Sequence, residues 1–193
     1  MMTFRAMPAF AAWQHQGAHP GFEVSYFRNH DDGIQMRGCT TAVEEGVPWI
    51  VEYDISLDVH WLNTRAIVRS LDADGDRTIV LEQPEPGRWL VDGEQATLLD
   101  GIFDVDLEAS SLTNMLPIHR MQFTGDGPMD APAAYVRADL TVERLEQTYR
   151  MLDSADGHYR FDYTSPSADF RAELVYDASG LVVDYPGIAV RSS

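Results

Sequence analysis

Short runs of alternating apolar and polar residues, each closed by turn residues, recur along this chain and direct it to a β fold. PWIVEYDISLD (residues 48–58) and WLNTRAIVRSL (61–71) come first. DADGD (72–76) separates the second from RTIVLEQ (77–83), and its Asp and Gly suit a hairpin turn. PEPG, RWLV and DGEQ carry the same pattern through residues 84–95. Later, HYRFDYTS (158–165) places Tyr159, Phe161 and Tyr163 on one face, because successive side chains of a strand point to opposite sides. FRAELVYD (170–177) does likewise with Phe170, Ala172, Leu174 and Tyr176, then DASG turns the chain into LVVDY. Turn signals about every 8–12 residues are the spacing of a sandwich or barrel. TVERLEQTYRML (141–152) is ambiguous. Val142, Leu145, Tyr149 and Leu152 fall at helical intervals behind Thr141 as an N-cap, but an irregular strand fits equally well. The expected architecture is therefore all-β, antiparallel and single-domain over residues 1–193, with at most one short helix. GDGPMDAPA, near residue 130, reads as a long loop inside that domain, since strand signals look alike on both sides.

Charge narrows the function. The chain carries a net −17, and all 14 of its basic residues are Arg. Without lysine there is no Schiff-base chemistry and no P-loop grip on phosphate. The acidic balance argues against nucleic acid, whose phosphates need basic neutralisation, and against an anionic membrane surface. The single Cys39 cannot form an internal disulfide and reads as a small residue of an alternating strand. MPAFAAW near the N-terminus makes a poor leader, and no stretch approaches the ~20 apolar residues of a membrane-spanning helix. A soluble cytoplasmic protein is expected.

Recognisable catalytic and cofactor motifs are missing. There is no GxSxG elbow, GxGxxG or GxxxxGK[ST]. The histidines make no HxH or HExxH pair, and His15 and His19 lie in a Pro- and Gly-flanked stretch. Asp100, Asp104, Asp106 and Glu108 alternate in DGIFDVDLE. They form either a solvated strand face or a set of oxygens for a hard cation; solvation is the expectation, and neither metal nor cofactor is expected.

Strand aromatics with nearby charges give the remaining candidates. Trp61 and Arg65 are four apart, which places them on one face of an extended strand with Asp58 close by. Arg65 could stack on Trp61 or pair with an acid, and Trp89 stands where a hairpin partner would approach them. Such a group either lines a cavity for a sugar or lipid, or is core with one ion pair.

LTNMLPIHR (112–120) fits neither a helix face nor an alternation. It reads as a corner leaving DVDL and entering a strand IHRMQF. Thr113 and Asn114 would bond the backbone there, Pro117 would start the next strand, and Arg120 would reach Asp104 or Asp106.

The longer run DGIFDVDLEASSLTNMLPIHRMQF resembles the signature of the putative glycolipid-binding protein family, a group of bacterial and archaeal domains. That signature reads D-V-D-L, then T-N-T-L-P-I-R-R. The matching positions are Gly101, Asp104, Val105, Asp106, Leu107, Thr113, Asn114, Leu116, Pro117, Ile118 and Arg120. The similarity continues through Tyr53, Asp58, Trp61, Arg65, Trp89, Asp92, Gly93, Gln147 and Tyr149, and closes with GLVVDYPGIAVR (180–191). It spans residues 49–191 and extends to the N-terminal strands. Ile102, Ser110, Ser111 and His119 depart from it; His119 puts a group that titrates near neutrality where the family has the first Arg of a pair. The resemblance implies an incomplete or spliced β-barrel and a non-catalytic role, binding a glycolipid, lipid or other amphiphile. It points to Asp58, Trp61, Arg65, Trp89, Asp104, Asp106, Asn114, His119, Arg120 and Tyr149 as ligand-binding. The alternatives are a small-molecule enzyme working through Asp and Arg groups, and an interaction protein with a filled barrel, a homodimer included.

Overall fold

Each of those alternating runs forms a strand in the computed structural model, which describes residues 4–17, 20–125 and 127–192. The N-terminal half is a meander: β1 (Phe10–His15), β2 (Gly21–His30), β3 (Gly33–Glu44), β4 (Val47–Asp58), β5 (Asn63–Asp72), β6 (Gly75–Glu85), β7 (Arg88–Val91) and β8 (Glu94–Gln95). β9 (Asp104–Leu107) follows, then a 3-10 turn over Leu112–Asn114 and the helix α1 (Met115–Arg120). The C-terminal half holds β10 (Met129–Asp130), β11 (Ala133–Val136), β12 (Val142–Leu145), β13 (Thr148–Ala155), β14 (His158–Ser165), β15 (Phe170–Tyr176), β16 (Val182–Tyr185) and β17 (Ala189–Arg191).

The two halves join edge to edge. β1 pairs with β17 in the register Trp13 to Arg191 and His15 to Ala189, giving one antiparallel sheet of 14 strands. Its end strands are β8 and β10, which do not pair with each other, so the barrel is incomplete. A smaller sheet runs in the order β12-β11-β9, with β9 parallel to β11, Asp104 facing Ala133 and Asp106 facing Tyr135.

Residues 141–152 are strands, not helix: β12 and β13 take up the segment. Tyr149 on β13 then lies fully buried beside Tyr163 of β14, where cross-strand packing of aromatics outweighs weak helical spacing. That settles an open choice, whereas one expectation fails. IHRMQF is no strand, because MLPIHR forms α1. Pro117 is tolerated as the third residue of this helix, since the first N–H groups of a helix have no internal partner anyway.

The interior between the sheet faces is filled by side chains. Trp13, Met36, Ile55, Leu81 and Trp89 are at most 1% exposed and belong to one cluster. A second cluster gathers Ile118 of α1 with Phe161, Tyr149, Leu174 and Tyr176. Gly38 is needed on β3: a Cβ there would meet the Tyr53 hydroxyl at 2.3 Å. No helix among the described residues is long and apolar enough to cross a membrane.

Candidate functional site

The candidate residues in and around the signature run meet in three places. Arg120, at the end of α1, grips Asp104 with two parallel bonds, Nε to Oδ1 at 2.9 Å and a terminal nitrogen to Oδ2 at 2.6 Å. The guanidinium also lies 5.2 Å from the Phe103 ring. Asn114 accepts from the Tyr149 hydroxyl through its side chain at 2.9 Å and from the Tyr176 hydroxyl through its backbone carbonyl at 3.1 Å. His119 stacks on Trp61, with centroids 3.8 Å apart and planes at 18°, and Phe4 covers it at 4.3 Å. Gly180 leaves room for the imidazole, since a Cβ there would stand 2.5 Å from Nε2. Burial drives the His119 pKa down to about 4, so its titration near neutrality is lost.

Other expected groupings do not form. Trp61 sits in the turn before β5 with φ of +65°, so it does not share a strand face with Arg65. That turn is held by Asp58, whose Oδ1 accepts from the backbone N–H of His60 at 2.8 Å and of Leu62 at 2.9 Å. Arg65 is exposed and pairs with Glu82 at 3.4 Å. Trp89 is core, and its indole N–H donates to the Ile102 carbonyl at 2.9 Å. Cys39 is no activated nucleophile, because burial, then Glu52 and Glu23, push its thiol pKa up. His19 lies outside the described residues. Among the described residues no group of His, Cys, Asp or Glu could hold a metal ion.

A cavity of about 600 Å³ opens where the small sheet faces the C-terminal half of the large one. β9 contributes Asp106, and Glu108 lies just beyond it; β11 contributes Tyr135. Tyr163, Phe170 and Tyr185 come from β14, β15 and β16. These three rings sit 5.9–6.1 Å apart, at interplanar angles between 59° and 74°. Arg137 and Arg144 stand at the rim. Of the ten residues singled out from sequence, Asp106 and Asn114 line this cleft, and Asp58 borders a smaller polar cavity of about 430 Å³ elsewhere. Asp104, Arg120 and Tyr149 are bonded to one another or to Asn114 behind the cleft wall.

The DVDL carboxylates are not a solvated face: Asp104 is 1% exposed and Asp106 is 6% exposed. Arg120 lies against Asp104, and Tyr149, Tyr163, Tyr176 and Tyr185 of the large sheet stand near Asp106, which no local pattern announces. Burial raises the Asp104 pKa, against the pull of Arg120. Asp106 accepts one side-chain bond, from Thr113 Oγ1 at 2.7 Å. Burial, aided by the Asp104 charge, carries its pKa up to about 7, so near neutrality much of it is a neutral acid able to donate a proton.

Glu23 on β2 also went unmarked in the sequence. It is fully buried and accepts from Tyr53 at 2.6 Å, from the Ser111 backbone N–H at 3.0 Å, from Ser111 Oγ at 2.9 Å, and from Ser110 Oγ. His15 Nε2 lies 3.0 Å from Oε2, the oxygen that Ser111 also bonds. Burial alone would raise this carboxyl, but the His15 bond and charge, then Ser110 and Tyr53, bring the pKa below its ordinary value. Ser110 and His15 both bond Glu23 rather than each other, so the group is an anchored ionised carboxylate and not a Ser–His nucleophile. A signal existed in GFEVSYF, where Glu23 shares the alternation phase of Ser25 and Phe27, both buried.

The family model described as Putative glycolipid-binding matches residues 10–191. A solved structure of a DUF1089 family protein from Pseudomonas aeruginosa superposes with a TM-score of 0.74. It shares 30% identity over 86% of this chain and 90% of that one. No curated protein matches the sequence.

Proposed function

The chain belongs to the Putative glycolipid-binding family, and we propose that its cleft binds the polar head of a glycolipid or related amphiphile without transforming it. The observation that carries this reading is the composition of the cleft. Tyr135, Tyr163, Phe170 and Tyr185 meet Asp106, Asn114 and Glu108 in one opening. Sugars are recognised in this way: aromatic faces pack on C–H surface, while carboxyl and amide groups bond hydroxyls. Its volume of about 600 Å³ falls in the range of about 300–1,000 Å³ usual for small-ligand sites. In this reading Asp104, Arg120 and Tyr149 hold Asp106 and Asn114 in place, and Trp61, Arg65, Asp58, Trp89 and His119 shape the scaffold. Free Cys39 is in keeping with a reducing compartment, the cytoplasm.

The test is solvent extraction of natively purified protein, with mass spectrometry of the extract, for wild type, Phe170→Ala and Arg65→Ala. An amphiphile near one per chain in wild type and Arg65→Ala, but depleted in folded Phe170→Ala, is the expected result. Equal loading of all three proteins places the ligand elsewhere, and an empty wild-type extract combined with no glycoside binding removes the proposal. One observation favours a second reading as an acid–base enzyme: a carboxyl with pKa of about 7 shares the cleft with Glu108, which is held by Arg137 at 3.5 Å. Release of product from chromogenic glycosides, abolished in Asp106→Asn, would establish that reading instead.

A further inference from the structure

The charges around the cleft say which head groups it admits. Only Arg137 and Arg144 bring guanidinium groups to it among the described residues, and both are engaged. Arg137 pairs with Glu108 at 3.5 Å and Glu143 at 3.3 Å. Arg144 pairs with Glu146 at 2.5 Å and also reaches the Asp100 carbonyl at 3.3 Å. An anionic head taking either Arg would displace the carboxylate that the Arg already holds and leave it unpaired beside the anion. A cationic head has carboxylates to meet, but the most buried of them, Asp106, would have to surrender a proton that its surroundings retain. Those surroundings are acidic or neutral from nearly every side: Asp104 on the same strand, Glu108 just beyond, Tyr135 across β11, and Tyr149, Tyr163, Tyr176 and Tyr185 from the large sheet. Arg120 is spent on Asp104, and His15 on Glu23.

Resting on the sugar-binding reading above, we propose that the cleft selects uncharged, polyhydroxylated heads, and that Asp106 sets this preference by donating a hydrogen bond as a neutral acid. A neutral glycosyl group needs no free counter-charge. Its hydroxyls accept from Asp106 and donate to Asn114 and Glu108, while the ring lies on the tyrosines. Phosphate, sulfate and quaternary ammonium heads each lack this match. As pH rises through the Asp106 titration, the donor becomes an acceptor and a negative charge appears under the sugar, so affinity falls.

Three detergents with the same eight-carbon tail separate the cases: octyl glucoside, octyl sulfate and octyltrimethylammonium, titrated calorimetrically below their micelle thresholds at pH 6.0 and 8.5. The glucoside should bind at least about tenfold tighter than either charged analogue at pH 6.0, since tenfold corresponds to one well-made difference in contacts. Its affinity should drop several-fold at pH 8.5. Asp106→Asn keeps a neutral donor, so it should bind the glucoside at both pH values without the drop. Equal or tighter binding of either charged detergent overturns the proposal, as does a pH-independent glucoside affinity in wild type. Either result leaves the sugar-binding reading standing. Failure of all three detergents to bind, together with an empty native extract, removes both.

Discussion

Two carboxylates, Glu23 and Asp106, are buried in this molecule and carry opposite pKa shifts. Glu23 is met by the hydroxyls of Tyr53, Ser110 and Ser111, by a backbone N–H and by His15, and it titrates below its ordinary value. Asp106 is met by Thr113 and has the Asp104 charge for a neighbour, and its pKa climbs to about 7. Burial acts on both in the same direction. The balance of donors and charge decides the outcome: hydroxyls and the His15 charge replace the water Glu23 loses, whereas the few donors to Asp106 are opposed by the Asp104 charge. Glu23 thereby becomes a fixed anchor between β2, β4 and the loop before α1. Asp106 becomes a proton-bearing group at the surface of a cleft.

The contrast is most easily broken at Glu23. Glu23→Gln leaves several buried donors facing an amide that brings donors of its own. A loss of about 3–5 kcal/mol in urea unfolding at pH 7 is expected, the usual scale for one member of a buried charged group. A loss below about 1 kcal/mol would show that the donors are satisfied in some other way.

Asp106 gives the next largest effect, and only in one pH window. Its folded pKa lies above its ordinary value of 3.8, so the native state holds the proton longer and stability falls as pH rises from about 4 to about 7, then levels. At about 1.36 kcal/mol per pKa unit the full fall is at most about 4 kcal/mol. Asp106→Asn should abolish that slope and exceed wild type in urea midpoint at pH 8, with little difference at pH 4. Glu23 has the opposite sign: its contribution is present above the ordinary carboxylate pKa and is lost as pH falls through its lowered value. Parallel curves for wild type and Asp106→Asn between pH 4 and 8 would mean that folding does not raise the Asp106 pKa.

Arg65 marks the small end of the scale. Its partner Glu82 is 3.4 Å away and both side chains are about half exposed. Arg65→Ala should change stability by no more than about 0.5 kcal/mol, as exposed pairs usually do. A larger loss would show that this surface pair is more tightly held than its exposure suggests.

Much of the β framework was legible because it is written locally. DADGD sits between β5 and β6, with Asp72 paired to Gly75 across the turn, and HYRFDYTS alternates as β14 with Phe161 and Tyr163 inward. The motif LTNMLPIHR announced a special role but not its shape. Met115, Leu116, Pro117 and Ile118 are buried together in a single short helix, and the chain ends that helix with Arg120 on Asp104. The reach of Arg120 to Asp104 was readable from charge and proximity. The stacking of His119 on Trp61 was not, since 58 positions separate them in the chain. The tyrosines of the cleft gave no warning either. On their strands they look like ordinary core residues, and they become a wall only because β9 and β11 lie parallel and face them.

By itself, then, the sequence determined strands, turns and inward faces, because alternation and turn chemistry act between near neighbours. It also determined that any partner must tolerate a lysine-free chain of net charge −17. The tertiary structure decided which acids would be ionised and where a cavity would open. Glu23 draws Ser110 from 87 positions away and Tyr53 from 30, while Asp106 is buried near Tyr149, Tyr163, Tyr176 and Tyr185 of the large sheet. A buried carboxylate's charge depends on donors and dielectric assembled from distant segments, and no local pattern encodes that sum.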